Sequence, residues 1–146
     1  MKDNTLKEQI QNLRNLKIQI YELRKIYDLL ENGNLKIYVK ECIVILDKIY
    51  KEVAINSDKI RKIQRIIDYY IITLSKILNR YTTLKLNKIS YKYKIEGSEE
   101  LYTKIEVFIP KVNECFEKIY TSLFSDEILD IDAEIDVMLK ELGIKK

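Results

Sequence analysis

Acidic side chains recur at short intervals near the carboxyl end of the chain. Five carboxylates occupy offsets 1, 3, 5, 7 and 12 of a twelve-residue window: Asp130, Asp132, Glu134, Asp136 and Glu141. Such spacing is typical of a calcium-binding loop, but that loop needs glycine at offset 6, where this chain has Ile135. Apolar residues also keep helical spacing through the segment. We therefore predict a solvated acidic face on a helix, with a weak divalent-cation site or a basic protein partner as the alternative.

A second cluster is basic and lies beside tyrosines. Lys59, Arg61, Lys62 and Arg65 precede the pair at 69–70, and lysine and tyrosine alternate again over residues 91–94. Interleaved lysine and tyrosine can bind single-stranded nucleic acid by charge and stacking, and the same lysines can contact anionic lipid headgroups. The net charge is only +3 and no DNA-reading helix motif is present. Nucleic acid is therefore not an expected partner, and an anion-binding module stays as an alternative.

Most catalytic equipment is missing from the sequence. The chain has no histidine, which removes the commonest general base and zinc ligand. Its two cysteines, Cys42 and Cys115, lie on apolar helical faces, where we expect buried free thiols. Three scattered glycines cannot form a phosphate-binding loop. We predict no cofactor, no metal and no catalytic residue, and lean away from an enzyme.

The composition predicts the fold class. A chain of 146 residues, 47% of them hydrophobic, suits one domain. Three glycines and one proline are too few for the many turns of a β fold, so we predict an all-α protein. The start of the chain does not resemble a signal peptide, and no apolar run approaches the ~18 residues of a membrane span. We expect a cytoplasmic protein, with a peripheral position at a membrane as a variant.

Apolar spacing predicts an antiparallel bundle of about four to five helices. We expect helices over about 4–31 and 35–54, forming an N-terminal hairpin within 1–54, and a tyrosine-rich helix over 57–84 that the polar residues at 56–58 cap. Residues 85–97 alternate with period two and predict an extended linker. Helices over about 98–122 and 126–142 would form a C-terminal hairpin within 98–143 with an acidic outer face.

Charge is divided unevenly between the two parts of the chain. Residues 1–97 have a net charge of +9 and residues 98–146 a net charge of −6. This asymmetry indicates either an anionic partner at one end or helices of opposite charge that pack together. We favour the second interpretation.

Three segments resemble a known family. The run Asp68–Tyr81, DYYIITLSKILNRY, is similar to the tyrosine-rich helix of the XpaC family, the 5-bromo-4-chloroindolyl phosphate hydrolysis proteins related to toxic-anion resistance proteins. Residues 115–118, CFEK, and 129–135, LDIDAEI, resemble the family's ending, and the similarity covers about residues 58–142. Ile72 stands where the family has proline. Longer relatives often begin with membrane-anchoring segments.

The resemblance implies two functions. The family name implies phosphoester hydrolysis. In this alternative function, the C-terminal acidic cluster would hold a metal that assists the hydrolysis. We expect instead a non-enzymatic helical bundle that acts through contacts with another protein or by self-association, in cell-envelope or toxic-anion stress, with proximity to a membrane or membrane protein as a variant. The predicted interaction surface comprises Tyr69, Tyr70, Tyr81, Asp130, Asp132 and Glu134. The predicted anion contacts are the four basic residues at 59, 61, 62 and 65.

Overall fold

A computed structural model describes residues 2–91 and 96–144 of the chain, with side chains over 5–85 and 96–144. Within those residues it has five α-helices and no strand, which confirms the predicted all-α class. The helices are α1 (Lys2–Leu29), α2 (Asn34–Ile55), α3 (Ile71–Tyr91), α4 (Ser98–Ser122) and α5 (Ser125–Glu141). A 3₁₀ helix (Ser57–Ile63) and a π-helical turn (Ile66–Tyr70) lead from α2 into α3.

The first four helices form a bundle in which consecutive helices run in opposite directions. Helix α2 packs against α1 and α4, and α1 packs against α3. Side-chain hydrogen bonds join the packed helices to one another. The Gln19 amide of α1 donates to the Ile67 carbonyl of the π turn at 2.8 Å, and the Asn113 amide of α4 donates to the Tyr38 carbonyl of α2 at 2.9 Å.

The core is aliphatic and follows the helical spacing of the sequence. Fully buried side chains come from all four bundle helices and from the segment between α2 and α3, among them Leu16, Leu23, Leu46, Ile49, Ile63, Ile67, Leu78, Ile109 and Phe116. A stripe of apolar residues every three or four positions buries one face of each helix, and burial of that face supplies most of the stability of the helix. Helix α5 contributes no residue to this core.

The start of the tyrosine-rich helix differs from the prediction. The 3₁₀ helix precedes α3, and the Asn56 side chain donates to Glu52 at 2.8 Å and caps no helix. Residues three apart share one face of a 3₁₀ helix. The buried side chains Ile60 and Ile63 of the 3₁₀ helix have this spacing, so the 3₁₀ geometry turns both toward the core.

The predicted extended linker is wrong over its first half. Residues 85–91 continue α3, because the segment contains no glycine or proline and each added residue gains a helical hydrogen bond. Residues 92–95 of the predicted linker lie outside the described residues. Gly97 then has a left-handed backbone, with φ of 79°, immediately before α4 begins. Glycine adopts this conformation without the steric cost that other residues meet.

Candidate protein-interaction surface

Helix α5 exposes the apolar side that the sequence predicted would be buried in a C-terminal hairpin. The side chains of Ile128, Ile131, Ile135, Met138 and Leu142, which we call the α5 apolar face, have the spacing of one helical stripe. Their exposed fractions run from 52% to 63%, and no residue of α5 is buried. The helix formed as predicted, but it does not pack along α4 as a hairpin would require. Five apolar side chains in one stripe are the kind of surface that binds a partner.

Carboxylates border the α5 apolar face. Residues 125–141 carry seven acidic side chains and one basic one. Glu127, Glu134 and Glu141 recur every seven residues and line one edge of the stripe, and Asp132 lies on the other edge. The predicted residues Asp130, Asp132 and Glu134 are all exposed. Among the described residues, no three His, Cys, Asp or Glu side chains form a group that could hold a metal ion.

The first turn of α5 is anchored by a lysine that the sequence placed among the anion contacts. Lys59 of the 3₁₀ helix is 8% exposed. Its ammonium contacts the carboxylates of Glu127 and Glu52, the latter at 2.9 Å, and lies 5.0 Å from the centre of the Phe124 ring. We call this group the Lys59 junction. It joins the end of α2, the 3₁₀ helix and the start of α5.

The junction shifts the pKa values of its members. The hydrogen bond to Glu127 raises the pKa of Lys59 above its usual value. The hydrogen bond from Lys59 lowers the pKa values of Glu52 and of Glu127. All three groups therefore stay charged over a wide pH range around neutrality, because each pKa moves away from it.

The other predicted anion contacts are divided between two places. Lys62 donates to Asp126 of α5 at 3.2 Å, which adds a second link beside the Lys59 junction. Arg65 instead lies over the rings of Tyr69, at 4.5 Å, and Tyr70, at 5.7 Å. Arg61 is exposed. Carboxylates of α5 thus occupy two of the four cations, as the interpretation of opposite charges packing together predicts.

Tyr69 and Tyr70 line an apolar groove between α3 and α4. These helices approach each other less closely than α2 and α4 do, and aromatic rings bridge them, with Tyr70 and Phe116 at 6.4 Å. The groove has a volume of about 460 Å³. We call it the α3/α4 groove, and its lining is Tyr69, Tyr70, Thr73, Leu74, Phe108, Lys111, Val112, Cys115 and Phe116.

Tyr81 belongs to the interior of the bundle. It is 8% exposed, and its ring makes an edge contact with Tyr102 at 5.0 Å. The Lys85 ammonium lies 4.7 Å from the Tyr102 ring centre. Burial raises the pKa of Tyr81. The structure therefore separates Tyr81 from the surface formed by Tyr69 and Tyr70, and it separates both from Asp130, Asp132 and Glu134.

The two cysteines have different surroundings. Cys42 is buried in α2, and burial raises the pKa of its thiol to about 12. Cys115 is free and exposed, and it lines the α3/α4 groove. The expectation of two buried thiols is thus wrong for Cys115, because α3 does not cover this side of α4. Sequence reasoning missed Cys115, Phe108 and Lys111 as surface residues, although their positions 108, 111 and 115 repeat at helical spacing.

Fold and surface together describe a helical bundle that carries an anchored, acidic amphipathic helix. No protein-family model matches the chain. The searches of curated proteins and of solved structures likewise give no match. Within the described part of the chain, no helix has the length and apolar composition needed to cross a bilayer.

Proposed function

We propose that this chain is a non-enzymatic helical-bundle protein of the XpaC type that acts through protein–protein contacts made by α5. The observation that carries the proposal is the exposure of the whole α5 apolar face on a helix whose start is held by the Lys59 junction. A helix in this position presents apolar residues at i, i+3, i+7, i+10 and i+14, the kind of stripe by which an amphipathic helix enters an apolar groove. The resemblance to the XpaC family suggests cell-envelope or toxic-anion stress as the setting.

The partner surface that fits α5 is apolar and bordered by basic side chains. Glu134, Glu141 and Asp132 flank the stripe and are exposed. Buried apolar contacts supply most of the affinity of such a complex, and complementary charges at the rim set its orientation and speed its formation. An acidic partner would place like charges opposite each other and would be rejected.

The alternatives receive less support from the geometry. Phosphoester hydrolysis through a metal would need carboxylates that converge, whereas Asp130, Asp132 and Glu134 point around the axis of one helix. Anion binding would need free cations at the basic cluster. Lys59 and Lys62 are instead paired with Glu127 and Asp126.

A binding assay with a synthetic peptide tests the proposal. The probe is a fluorescent amphipathic helical peptide with leucine on one face and lysine along both edges, and its anisotropy reports binding to the full chain. We expect Ile135→Asp to weaken binding at least tenfold, because it places a charge in the apolar contact. Ala133→Asp adds the same charge on the opposite side of α5 and should change the affinity less than twofold. Equal binding by both variants would contradict the proposal.

A turnover assay separates the enzymatic alternative. The purified chain is incubated with an aryl phosphate in the presence of Mg²⁺, Mn²⁺ or Zn²⁺, beside the Asp130→Asn/Asp132→Asn double variant. We expect no turnover above a mock purification. Metal-dependent turnover that the double variant loses would replace our proposal with hydrolysis.

A further inference from the structure

We propose that the partner of α5 is the α3/α4 groove of a second copy of this chain, so that two copies exchange their C-terminal helices. This inference rests on the proposed function, since it assumes that α5 is an interaction surface. The groove and the helix are both apolar surfaces that the bundle leaves exposed in the described residues. The spacing of their apolar residues and the signs of their charges are complementary.

The floor of the groove has the same periodicity as the helix it would receive. On α4, Leu101, Phe108 and Cys115 recur every seven residues and are exposed, and Phe108 and Cys115 line the groove itself. Val112 fills the position between them, and the opposite wall consists of Tyr69 and Tyr70. An apolar stripe with a seven-residue repeat packs against another of the same kind by placing side chains into the gaps of its partner. The α5 apolar face is such a stripe.

Charges beside the two stripes match in sign and spacing. Lys104, Lys111 and Lys118 recur every seven residues on α4 and are exposed, and Lys111 lines the groove. On α5, Glu127, Glu134 and Glu141 recur at the same interval. Each row spans about 21 Å, at 1.5 Å per residue. In an antiparallel arrangement with Lys111 opposite Glu134, Lys104 falls opposite Glu141, so one register satisfies both pairs.

The far wall of the groove is also basic. Arg65, held over Tyr69 and Tyr70, borders it at one end. Lys76 and Arg80 are exposed further along the same side of α3. An acidic helix in the groove would therefore lie between two rows of cations. A basic helix would meet like charges on both sides, which excludes it as the occupant.

Anchoring of α5 favours a second copy over closure within one chain. Only Leu123 and Phe124 connect α4 to α5. Leu123 is completely buried, and the Phe124 ring packs against Tyr120 at 5.2 Å. The Lys59 junction then holds Glu127 on the 3₁₀ helix. These contacts start α5 away from its own α4, and a hinge of only two residues invites exchange between copies.

Exchange also explains how both apolar surfaces can be covered at once. If each copy gives its α5 to the groove of the other, two identical contacts form around a two-fold axis. The assembly closes, because no unpaired groove or helix remains to recruit further copies. The Lys59 junction can persist unchanged in both copies.

Cys115 allows the arrangement to be trapped in the full chain. In the register given above, Ile131 of α5 lies near the Cys115 thiol on the floor of the groove. Ile131→Cys, oxidised with glutathione disulfide, should give a covalent dimer on a non-reducing gel, and mass spectrometry should join Cys115 to the introduced thiol. Ala133→Cys, on the opposite side of α5, is the matched control and should stay monomeric. The buried Cys42 does not compete.

Measurements of molar mass over a range of protein concentrations complete the test. We expect a monomer–dimer equilibrium that Lys111→Glu weakens about tenfold and that adding Glu134→Lys to Lys111→Glu restores. A disulfide within one chain, or a mass that stays monomeric at all concentrations, would overturn the exchange. If the lysine-edged peptide still binds in that case, α5 serves another partner and the proposed function stands. If the peptide also fails to bind, the proposed function fails with it.

Discussion

Two isoleucines of the C-terminal half should differ in how much stability the same substitution costs. Ile109 of α4 is fully buried, whereas Ile131 of α5 is 57% exposed. Both occupy α-helices, so Ile→Ala removes the same atoms from each. The comparison tests directly whether α5 lies outside the core, on which the proposed function depends.

The expected magnitudes follow from burial. Ile109→Ala removes buried methyl groups and leaves a cavity, at a cost of about 2–5 kcal/mol in the free energy of unfolding. Ile131 has less than half of its surface covered, which limits its loss to about 1 kcal/mol. The higher helix propensity of alanine offsets a few tenths of a kcal/mol of that loss. The two variants should therefore differ by roughly 2–4 kcal/mol.

Urea denaturation followed by far-ultraviolet circular dichroism measures both free energies. The experiment is repeated at several protein concentrations, because exchange of α5 between copies would make the Ile131→Ala effect grow with concentration. At the lowest concentration its cost should stay below about 1 kcal/mol. A cost above about 2 kcal/mol that does not change with concentration would refute the reasoning, since it would mean that α5 packs into its own bundle.

The remaining predictions concern the thiols and the Lys59 junction. In the folded protein Cys115 should react with a thiol reagent and Cys42 should not. The pKa of Cys42 is about 12, which leaves on the order of one Cys42 thiol in ten thousand ionised at pH 8. Two reactive thiols in the folded state would contradict the burial of Cys42. Because the pKa of Glu127 is lowered in the folded state from 4.5, its contribution to stability is present above that pH and lost as the pH falls through the folded value. The melting temperature of Glu127→Gln should thus lie below that of the wild type near neutral pH and converge with it in acid. Glu117→Gln changes an exposed carboxylate of α4 outside both the junction and the groove, and it should change the melting temperature little at any pH. Identical pH profiles for the two variants would refute the role of the junction.

The sequence predicted the bundle well because its information is periodic. Apolar residues every three or four positions in α1 and α2 require a helix with one buried face, and the turn at residues 32–34 joins two such helices. The prediction from the sequence failed over residues 85–91, where period-two alternation favoured an extended chain. Local alternation cannot outweigh the hydrogen bonds gained when an existing helix is prolonged without a break.

The candidate surface was predicted only in part. Tyr69, Tyr70, Asp130, Asp132 and Glu134 are all accessible, yet the tyrosines lie on the groove and the carboxylates on α5. Tyr81 has the same residue type as Tyr69 but points into the bundle. The difference depends on which side of α3 faces α4, and a list of tyrosines along one helix does not contain that information.

By itself the sequence determined the helices, the apolar side of each and the acidic character of α5, because these properties depend on residue type and spacing along one segment. Tertiary structure alone decided which apolar sides are covered. Lys59 looked like an anion contact, but packing of the 3₁₀ helix buried it beside Glu52 and Glu127, so it holds the first turn of α5 instead. Burial is a relation between segments distant in the chain, so the spacing of apolar residues along α5 does not show whether that helix joins the core or stays exposed.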